Sequence, residues 1–328
     1  MKQKGNTYYF LGIGGIGMSA LAKHLFDLGN NVMGYDKTPS TITSHLIDMG
    51  IPVVFDPSVA AIPEDYCKQD TLIIYTPAVP IEHPQFHFFW TQGNEIKKRA
   101  VVLGEITKES IVFAIAGTHG KTTTASFLTH LFAHLNLEFT AFLGGIMNQY
   151  QSNIIQRGSR YSIVEADEYD RSFLQLYPDF ACITAMDADH LDIYGDHSNM
   201  KKAFVEFSEQ VSQKIVVAKG IDINGISYAV EDKASYYTKN IRTSEQGYHF
   251  DLVTPSQTYN NVYLKSIGQH NLSNAIGALA VLDTAGFPIA NALPALEDFE
   301  GIHRRMEVFS LYDKVIIDDY AHHPVEIK

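Results

Sequence analysis

Residues 111–124 read Ile-Val-Phe-Ala-Ile-Ala-Gly117-Thr118-His119-Gly120-Lys121-Thr122-Thr123-Thr124. An apolar run of strand length, Ile111 to Ala116, ends in a glycine turn, and apolar residues then recur at helical spacing from Lys121 to Leu135. Strand, glycine loop and helix in that order make a phosphate-binding turn. The strict GxxxxGK[ST] form needs glycine at 115, where Ile stands, so the loop is a variant. Its physics survives: Gly117 and Gly120 can expose N–H groups, Lys121 can reach the β and γ phosphates of ATP, and Thr122 can offer its hydroxyl to Mg²⁺. The bland alternative is an incidental Gly-Lys-Thr turn.

The same rhythm extends both ways along the chain. Short apolar runs at Tyr8–Leu11, Val32–Tyr35, Thr71–Tyr75, Tyr161–Val164, Phe180–Thr184 and Lys214–Ala218 alternate with helix-length segments, which is the pattern of βαβ units and parallel sheet. The first run leads into Gly12-Ile13-Gly14-Gly15-Ile16-Gly17, a GxGxxG that opens a helix predicted over Gly17–Leu28. Asp36 ends the next strand, 19 residues after Gly17, where an acidic group would meet a ribose hydroxyl. The pattern favours a dinucleotide site but does not identify the nucleotide. With an ATP-type loop later in the chain, it need not hold a redox cofactor.

Three other clusters carry chemistry. Glu165-Ala166-Asp167-Glu168-Tyr169-Asp170 follows a predicted strand, and hard cations want carboxylate oxygens at such a strand end, so Glu165 is the favoured Mg²⁺ ligand. Asp167, Glu168 and Asp170 read equally well as a solvated loop. His190, in Asp187-Ala188-Asp189-His190, sits among carboxylates at another strand end and is a candidate second metal ligand. Asn271 and Asn274 stand three apart at the start of a helix predicted over His270–Ala285, so both amides can face one ligand; simple N-capping explains one of them. His303-Arg304-Arg305 suggests an anionic partner, and His322-His323 lacks a third zinc ligand at useful spacing.

Composition excludes several classes. Lys plus Arg is 25 against 37 for Asp plus Glu, a formal net of −12, which repels phosphate backbones and argues against nucleic acid as a partner. Apolar residues at 45% and charged residues at 19% fit a folded globular chain. There is no signal-peptide core and no run of ~18 apolar residues, so no membrane segment is expected. Cys67 and Cys182, far apart and without CxxC spacing, fit a reducing compartment, and the default location is cytoplasmic.

The polar stretch Thr107–Ser110 marks a first domain boundary and Phe299-Glu300-Gly301 a second. Between them, Ile221–Ser266, with tyrosines among Thr, Ser, Asn and Gly, reads as short antiparallel strands in a β-rich part of the second domain. Only 27 residues follow Gly301, below the ~50 of the smallest domains, so the chain is expected to be cut short there.

Taken together, Gly12–Ala20 (GIGGIGMSA), Gly117–Thr124 (GTHGKTTT), Glu165–Glu168 (EADE) and Asp318–Pro324 (DDYAHHP) resemble the Mur ligase family, ATP-dependent amide ligases of bacterial peptidoglycan synthesis. The resemblance implies an α/β fold in three parts. These are a Rossmann-like UDP-sugar domain (1–107), a central P-loop ATPase domain with a β-rich part (108–301) and the truncated start of a Rossmann-like C-terminal domain (302–328). It implies that Gly14, Gly15, Ile16, Gly17, Met18 and Ser19 surround a UDP diphosphate and that Asp36 meets the uridine. Around ATP it implies Gly117, Thr118, His119, Gly120, Lys121, Thr122 and Thr123, with Asn271 and Asn274 near the adenine, Arg305 near the phosphates and Asp319 near the ribose. Thr122 and Glu165 would hold one Mg²⁺ and His190 a second, while Tyr320 and His322 would help form the amino-acid site. Lys121, Glu165, His190 and Arg305 are thereby the expected catalytic set. Several relatives carry a carbamylated lysine where Val205 stands here, with Lys201 and Lys202 nearby, and further amino-acid contacts lie beyond Lys328.

The implied reaction joins L-alanine to the lactyl carboxylate of UDP-N-acetylmuramate through an acyl phosphate. The nearest rival adds a preformed tripeptide to the same UDP-sugar. An NAD-dependent oxidoreductase accounts for Gly12–Gly17 and Asp36 but leaves Lys121, Glu165 and His190 idle, and a non-catalytic nucleotide-binding module is the third reading.

Overall fold

β1 (Thr7–Leu11) buries Tyr9 and Leu11 on one face and Phe10 on the other, so a contiguous apolar run, rather than an alternating one, is what a strand covered on both sides requires. It heads a computed structural model that describes residues 5–187, 197–312 and 314–321. The chain divides into two compact units, Met1–Ile106 and Thr107–Lys328.

In the first unit, α1 (Ile16–Asp27), β2 (Asn31–Tyr35), α2 (Thr41–Asp48), β3 (Val53–Val54), β4 (Leu72–Tyr75), α3 (Pro84–Gln92), β5 (Ile96–Lys98) and α4 (Arg99–Thr107) follow β1. α2 starts where Ser40 and Thr43 form a reciprocal capping box, and α3 starts on Pro84 at its first position and stops at Gly93, which takes the left-handed conformation with φ 77°. Among the described residues the sheet is five-stranded and parallel, in the order β3-β2-β1-β4-β5. Strand order reverses between β1 and β4, and the loop after β1 lies at that switch point, where ligands bind in open α/β sheets.

The second unit opens with β6 (Ile111–Ala116), α5 (Lys121–His134), β7 (Phe139–Met147), β8 (Ser152–Gln156), β9 (Tyr161–Ala166) and β10 (Phe180–Ile183). It continues through α6 (His197–Glu209), β11 (Lys214–Ala218), β12 (Ile226–Ala229), β13 (Tyr236–Ser244), β14 (Gly247–Val253) and β15 (Thr258–Leu264). α7 (Gln269–Thr284), α8 (Ile289–Ala292) and the hairpin β16 (Glu307–Leu311) and β17 (Lys314–Asp318) complete it. Ten strands form one sheet among the described residues, in the order β15-β14-β13-β12-β11-β10-β6-β9-β7-β8. α5 and α7 are buried along most of their length, and their packing closes a core in which Phe113 stacks on Phe180 at 5.0 Å and meets Phe132 edge-on. Each such ring adds roughly 1.5–3 kcal/mol on full burial.

Two features go beyond the sequence reading. The segment 221–266 holds an antiparallel meander, β13-β14-β15, and β12, which pairs parallel with both β11 and β13, joins that meander to the main sheet. The strand β7, unread in the sequence, runs parallel to β9 and antiparallel to β8.

Candidate functional site

The loop after β1 is fastened by backbone: Gly12 and Ile13 both donate to the Tyr35 carbonyl, at 2.8 and 3.0 Å. Gly14 donates its N–H to Asp36 Oδ2 at 2.7 Å, and the other carboxylate oxygen accepts Thr38 N–H at 3.2 Å. A β-carbon on Gly14 would lie 2.7 Å from Thr43 and 2.8 Å from Asp36, so any side chain there would have to displace one of them. Asp36 is therefore the brace of this loop. Gly15 caps α1 without a side-chain bond, and the side chains of Met18 and Ser19 turn inward, Ser19 Oγ donating to the Ile16 carbonyl. What the helix end presents is thus backbone around Gly15–Gly17, a place for an anion. Arg99, which no sequence pattern singled out, brings its guanidinium to within 3.0 Å of where a Gly17 β-carbon would be. A cation beside a helix N-terminus strengthens that preference.

In the second unit the loops at the C-terminal ends of β6, β9 and β10 converge. Gly117 at φ 138° and Gly120 at φ 77° have conformations that only glycine adopts freely; a β-carbon on Gly120 would sit 2.4 Å from Asn274 Oδ1. The loop is pinned to the β10 end, where Thr118 N–H donates to the Ala185 carbonyl and Thr118 Oγ1 accepts Asp187 N–H, both at 3.1 Å. The Thr184 hydroxyl bonds the His119 carbonyl, and His119 Nε2 stands 3.7 Å from Asp187 Oδ2. Thr123 is half-buried on the first turn of α5.

Two contacts cross from this loop to the β9 end. Thr122 Oγ1 donates to Glu165 Oε1 at 2.9 Å, and Lys121 Nζ donates to Glu168 at 2.7 and 3.0 Å and to the Gly117 carbonyl at 2.7 Å. Glu168 is wholly buried, which overturns its reading as solvated loop. Burial works against both charges of that pair. At Lys121 the carboxylates of Glu168, Asp167 and Glu165 outweigh it and the pKa is raised; at Glu168 burial prevails over the lysine and its pKa lies above the ordinary carboxylate range. Asp167 instead accepts Tyr169 N–H, as a loop brace.

Thr122 and Glu165 offer hard oxygens side by side, and Glu165 Oε2 is fixed by Gly144 N–H at 2.8 Å, so the donor set fits a divalent cation such as Mg²⁺. Among the described residues no three His, Cys, Asp or Glu side chains are placed to hold a metal ion together. A hydroxyl and one carboxylate leave the remaining positions to phosphate and water. His190 and His322 lie outside the described residues.

At the start of α7, Asn274 Oδ1 accepts the Thr124 hydroxyl at 3.3 Å, beside the phosphate loop, whereas Asn271 Nδ2 donates to the Ile267 carbonyl at 2.8 Å. The two amides are buried in different bonds rather than aimed together at one point. The other flank of that helix end, Gln269, His270 and Ser273, lines an open cleft of about 370 Å³ with Lys219 and Asp232. Beyond Gly301, Asp319 accepts Met306 and Ala321 N–H groups at 3.2 and 2.8 Å, and Arg304 and Arg305 both flank the half-exposed Tyr320 ring. Arg305, Asp319 and Tyr320 are thus neighbours. No described helix is long and apolar enough to cross a membrane.

Known proteins match this arrangement along nearly its whole length. The family described as "Mur ligase family, catalytic domain" matches residues 7–110, and the Mur ligase middle domain matches 115–282. A UDP-N-acetylmuramate–L-alanine ligase of Flavobacterium johnsoniae is 47% identical over 322 residues, 97% of this chain and 72% of that protein. Among solved structures, a UDP-N-acetylmuramate-alanine ligase from Thermotoga maritima superposes with a TM-score of 0.88 at 32% identity, covering 98% of this chain and 76% of its own. A UDP-N-acetylmuramate:L-alanyl-γ-D-glutamyl-meso-diaminopimelate ligase from Neisseria shares the fold at a TM-score of 0.81 and 22% identity, over 92% of this chain and 100% of its own. With relatives this similar over this much of its length, the chain belongs to the Mur ligase family.

Proposed function

We propose that this protein is an ATP-dependent ligase that joins L-alanine to the lactyl carboxylate of UDP-N-acetylmuramate in cytoplasmic peptidoglycan precursor synthesis. The observation that carries it is the convergence of Lys121, Thr122, Glu165 and Glu168 behind a glycine loop, in a chain 47% identical over 97% of its length to a relative bearing that activity in its name. The likeness to the tripeptide-adding ligase is 22% and speaks for the fold alone, so L-alanine is the favoured acceptor.

In this reading the lactyl carboxylate oxygen attacks the γ phosphorus of ATP, the bond to the bridging oxygen breaks, and ADP leaves. The amine of L-alanine then attacks the acyl carbon, phosphate leaves with the former carboxylate oxygen, and the amine gives up a proton. The chain mainly holds and neutralises. The Gly117–Gly120 backbone cradles phosphate, Lys121 offsets charge on the transferring group, Arg305 steadies it, and Asn274 stiffens the loop. Thr122 and Glu165 would hold Mg²⁺, which when bound polarises phosphate oxygens, and His190 is assigned a second ion. The β1 loop with Asp36 and Arg99 would take the UDP diphosphate. Asn271 and Asp319 are assigned to the adenosine, and Tyr320 with His322 to the amino-acid side.

Mass spectrometry of a reaction with Mg²⁺, ATP, UDP-N-acetylmuramate and either acceptor tests this. UDP-N-acetylmuramoyl-L-alanine is the expected product; a product from the tripeptide alone would reassign the acceptor.

A further inference from the structure

An ammonium group has three N–H bonds, and the acceptors around Lys121 Nζ are the Gly117 carbonyl at 2.7 Å and the two oxygens of the Glu168 carboxylate at 2.7 and 3.0 Å. A phosphate oxygen that reaches Lys121 competes with these acceptors for its N–H bonds. The Gly117 carbonyl belongs to the loop itself, whose neighbour Ala116 is held in the sheet opposite Ala166 and Ile183. The bonds to Glu168 are the ones that can be exchanged.

Glu168 cannot simply swing away. Its side chain is wholly buried, and the turn that carries it is tied on both sides: its carbonyl accepts Arg171 N–H at 3.0 Å and the Asp167 carbonyl accepts Phe173 N–H at 2.8 Å. Asp170 and Arg171, at φ 53° and 54°, adopt the left-handed conformation to close that turn. A buried carboxylate on a turn held this way has little room to leave Lys121.

We propose that Glu168 is a placeholder for the terminal phosphates of ATP: it holds Lys121 in position beside the loop, and nucleotide binds by taking over part of its bond to the lysine. This rests on the ATP-loop assignment above and makes Glu168 a positioning residue. It carries a definite consequence. The exchange sets a phosphate against a fixed negative charge, so Glu168 weakens binding in proportion to the phosphates that reach Lys121. The bond to Glu168 keeps the lysine ordered at the expense of affinity for ATP.

The test is calorimetric titration of wild-type and Glu168→Gln chains with ATP, ADP and AMP in the presence of Mg²⁺. Glutamine keeps one acceptor for Lys121 and removes the charge. We expect ATP to bind about tenfold more tightly to the variant, ADP less so, and AMP to change by less than about twofold, since removal of a like charge at close range acts only where phosphate reaches it. A structural role would move all three ligands together or shift only thermal stability. Equal changes for ATP and AMP, or weaker ATP binding, would overturn the proposal. Should the variant fail to fold, a crystal structure of the wild-type chain with Mg²⁺ and a non-hydrolysable ATP analogue decides. Lys121 bonded to a β or γ oxygen with at most one bond left to Glu168 supports the exchange, and both carboxylate bonds intact contradicts it. A wild-type chain that binds no ATP removes the ATP-loop assignment itself, and the placeholder with it, which separates that failure from a failure of the exchange alone.

Discussion

Gly144 donates its backbone N–H to Glu165 Oε2 at 2.8 Å, and a β-carbon on Gly144 would lie 2.4 Å from that same oxygen. The strand β7 therefore approaches the carboxylate as closely as backbone can, and only because it lacks a side chain there. Gly144→Ala should push Glu165 out of line with Thr122. The expected result is a loss of about 10–100-fold in apparent Mg²⁺ affinity, read from the metal dependence of ATP binding, with the circular dichroism of the wild type retained.

Lys121 and Glu168 form a buried pair, and removing one partner strands the other's charge. Lys121→Met should lower ATP-dependent turnover by more than ~10²-fold and cost about 3–5 kcal/mol of stability by denaturant titration. Adding Glu168→Leu should restore most of the stability and none of the turnover. Recovery of both together would mean that Lys121 serves the fold alone.

Arg99 lies against the start of α1 and Asp36 braces the loop before it, so on the proposed assignment the two would act on the same ligand by different routes. Arg99→Ala should weaken UDP-N-acetylmuramate by about 1.5–3 kcal/mol, as a lost charge-assisted bond does, while leaving uridine affinity nearly unchanged. Asp36→Ala should weaken both, because it loosens the loop itself. Isothermal titration with UDP-N-acetylmuramate, UDP and uridine separates these patterns.

Burial raises the pKa of Cys182 from 9.0 to about 12, and burial together with the bond to Asp283 raises that of Tyr236 from 10.0. Groups raised on folding contribute stability that is whole below their unfolded values and is lost as pH rises through the folded ones. Stability should therefore decline from about pH 9 upward, each group adding a slope of up to about 1.4 kcal/mol per pH unit within its window. Urea midpoints between pH 8 and 11 test this, and the double variant Cys182→Ala, Tyr236→Phe should show a shallower decline. An unchanged slope would remove these groups as the cause.

Much of the fold is legible in the sequence, because fully covered parallel strands are unbroken apolar runs; β6, with five of its six residues buried, is the clearest case. β7 escapes for the opposite reason: Gly144 and Gly145 dilute its apolar pattern, and they are there so that backbone can pass Glu165 and Thr122. The polar alternation of 236–264 shows as antiparallel strands, but that β12 splices them to β11 is a matter of long-range pairing that no local pattern encodes. At the site, Lys121, Thr122 and Glu165 are legible because loop chemistry constrains their neighbours in sequence. Glu168 meets a lysine 47 positions away, and Arg99 returns to a helix begun at Ile16; neither has a local signature.

The central claim is that the first glycine loop serves a UDP-sugar while the second serves ATP. Calorimetric titration of this chain with UDP-N-acetylmuramate, with NADH as the parallel ligand, tests it most directly. Saturable binding of the UDP-sugar and no response to NADH is the predicted result; binding of NADH alone would contradict the ligase account.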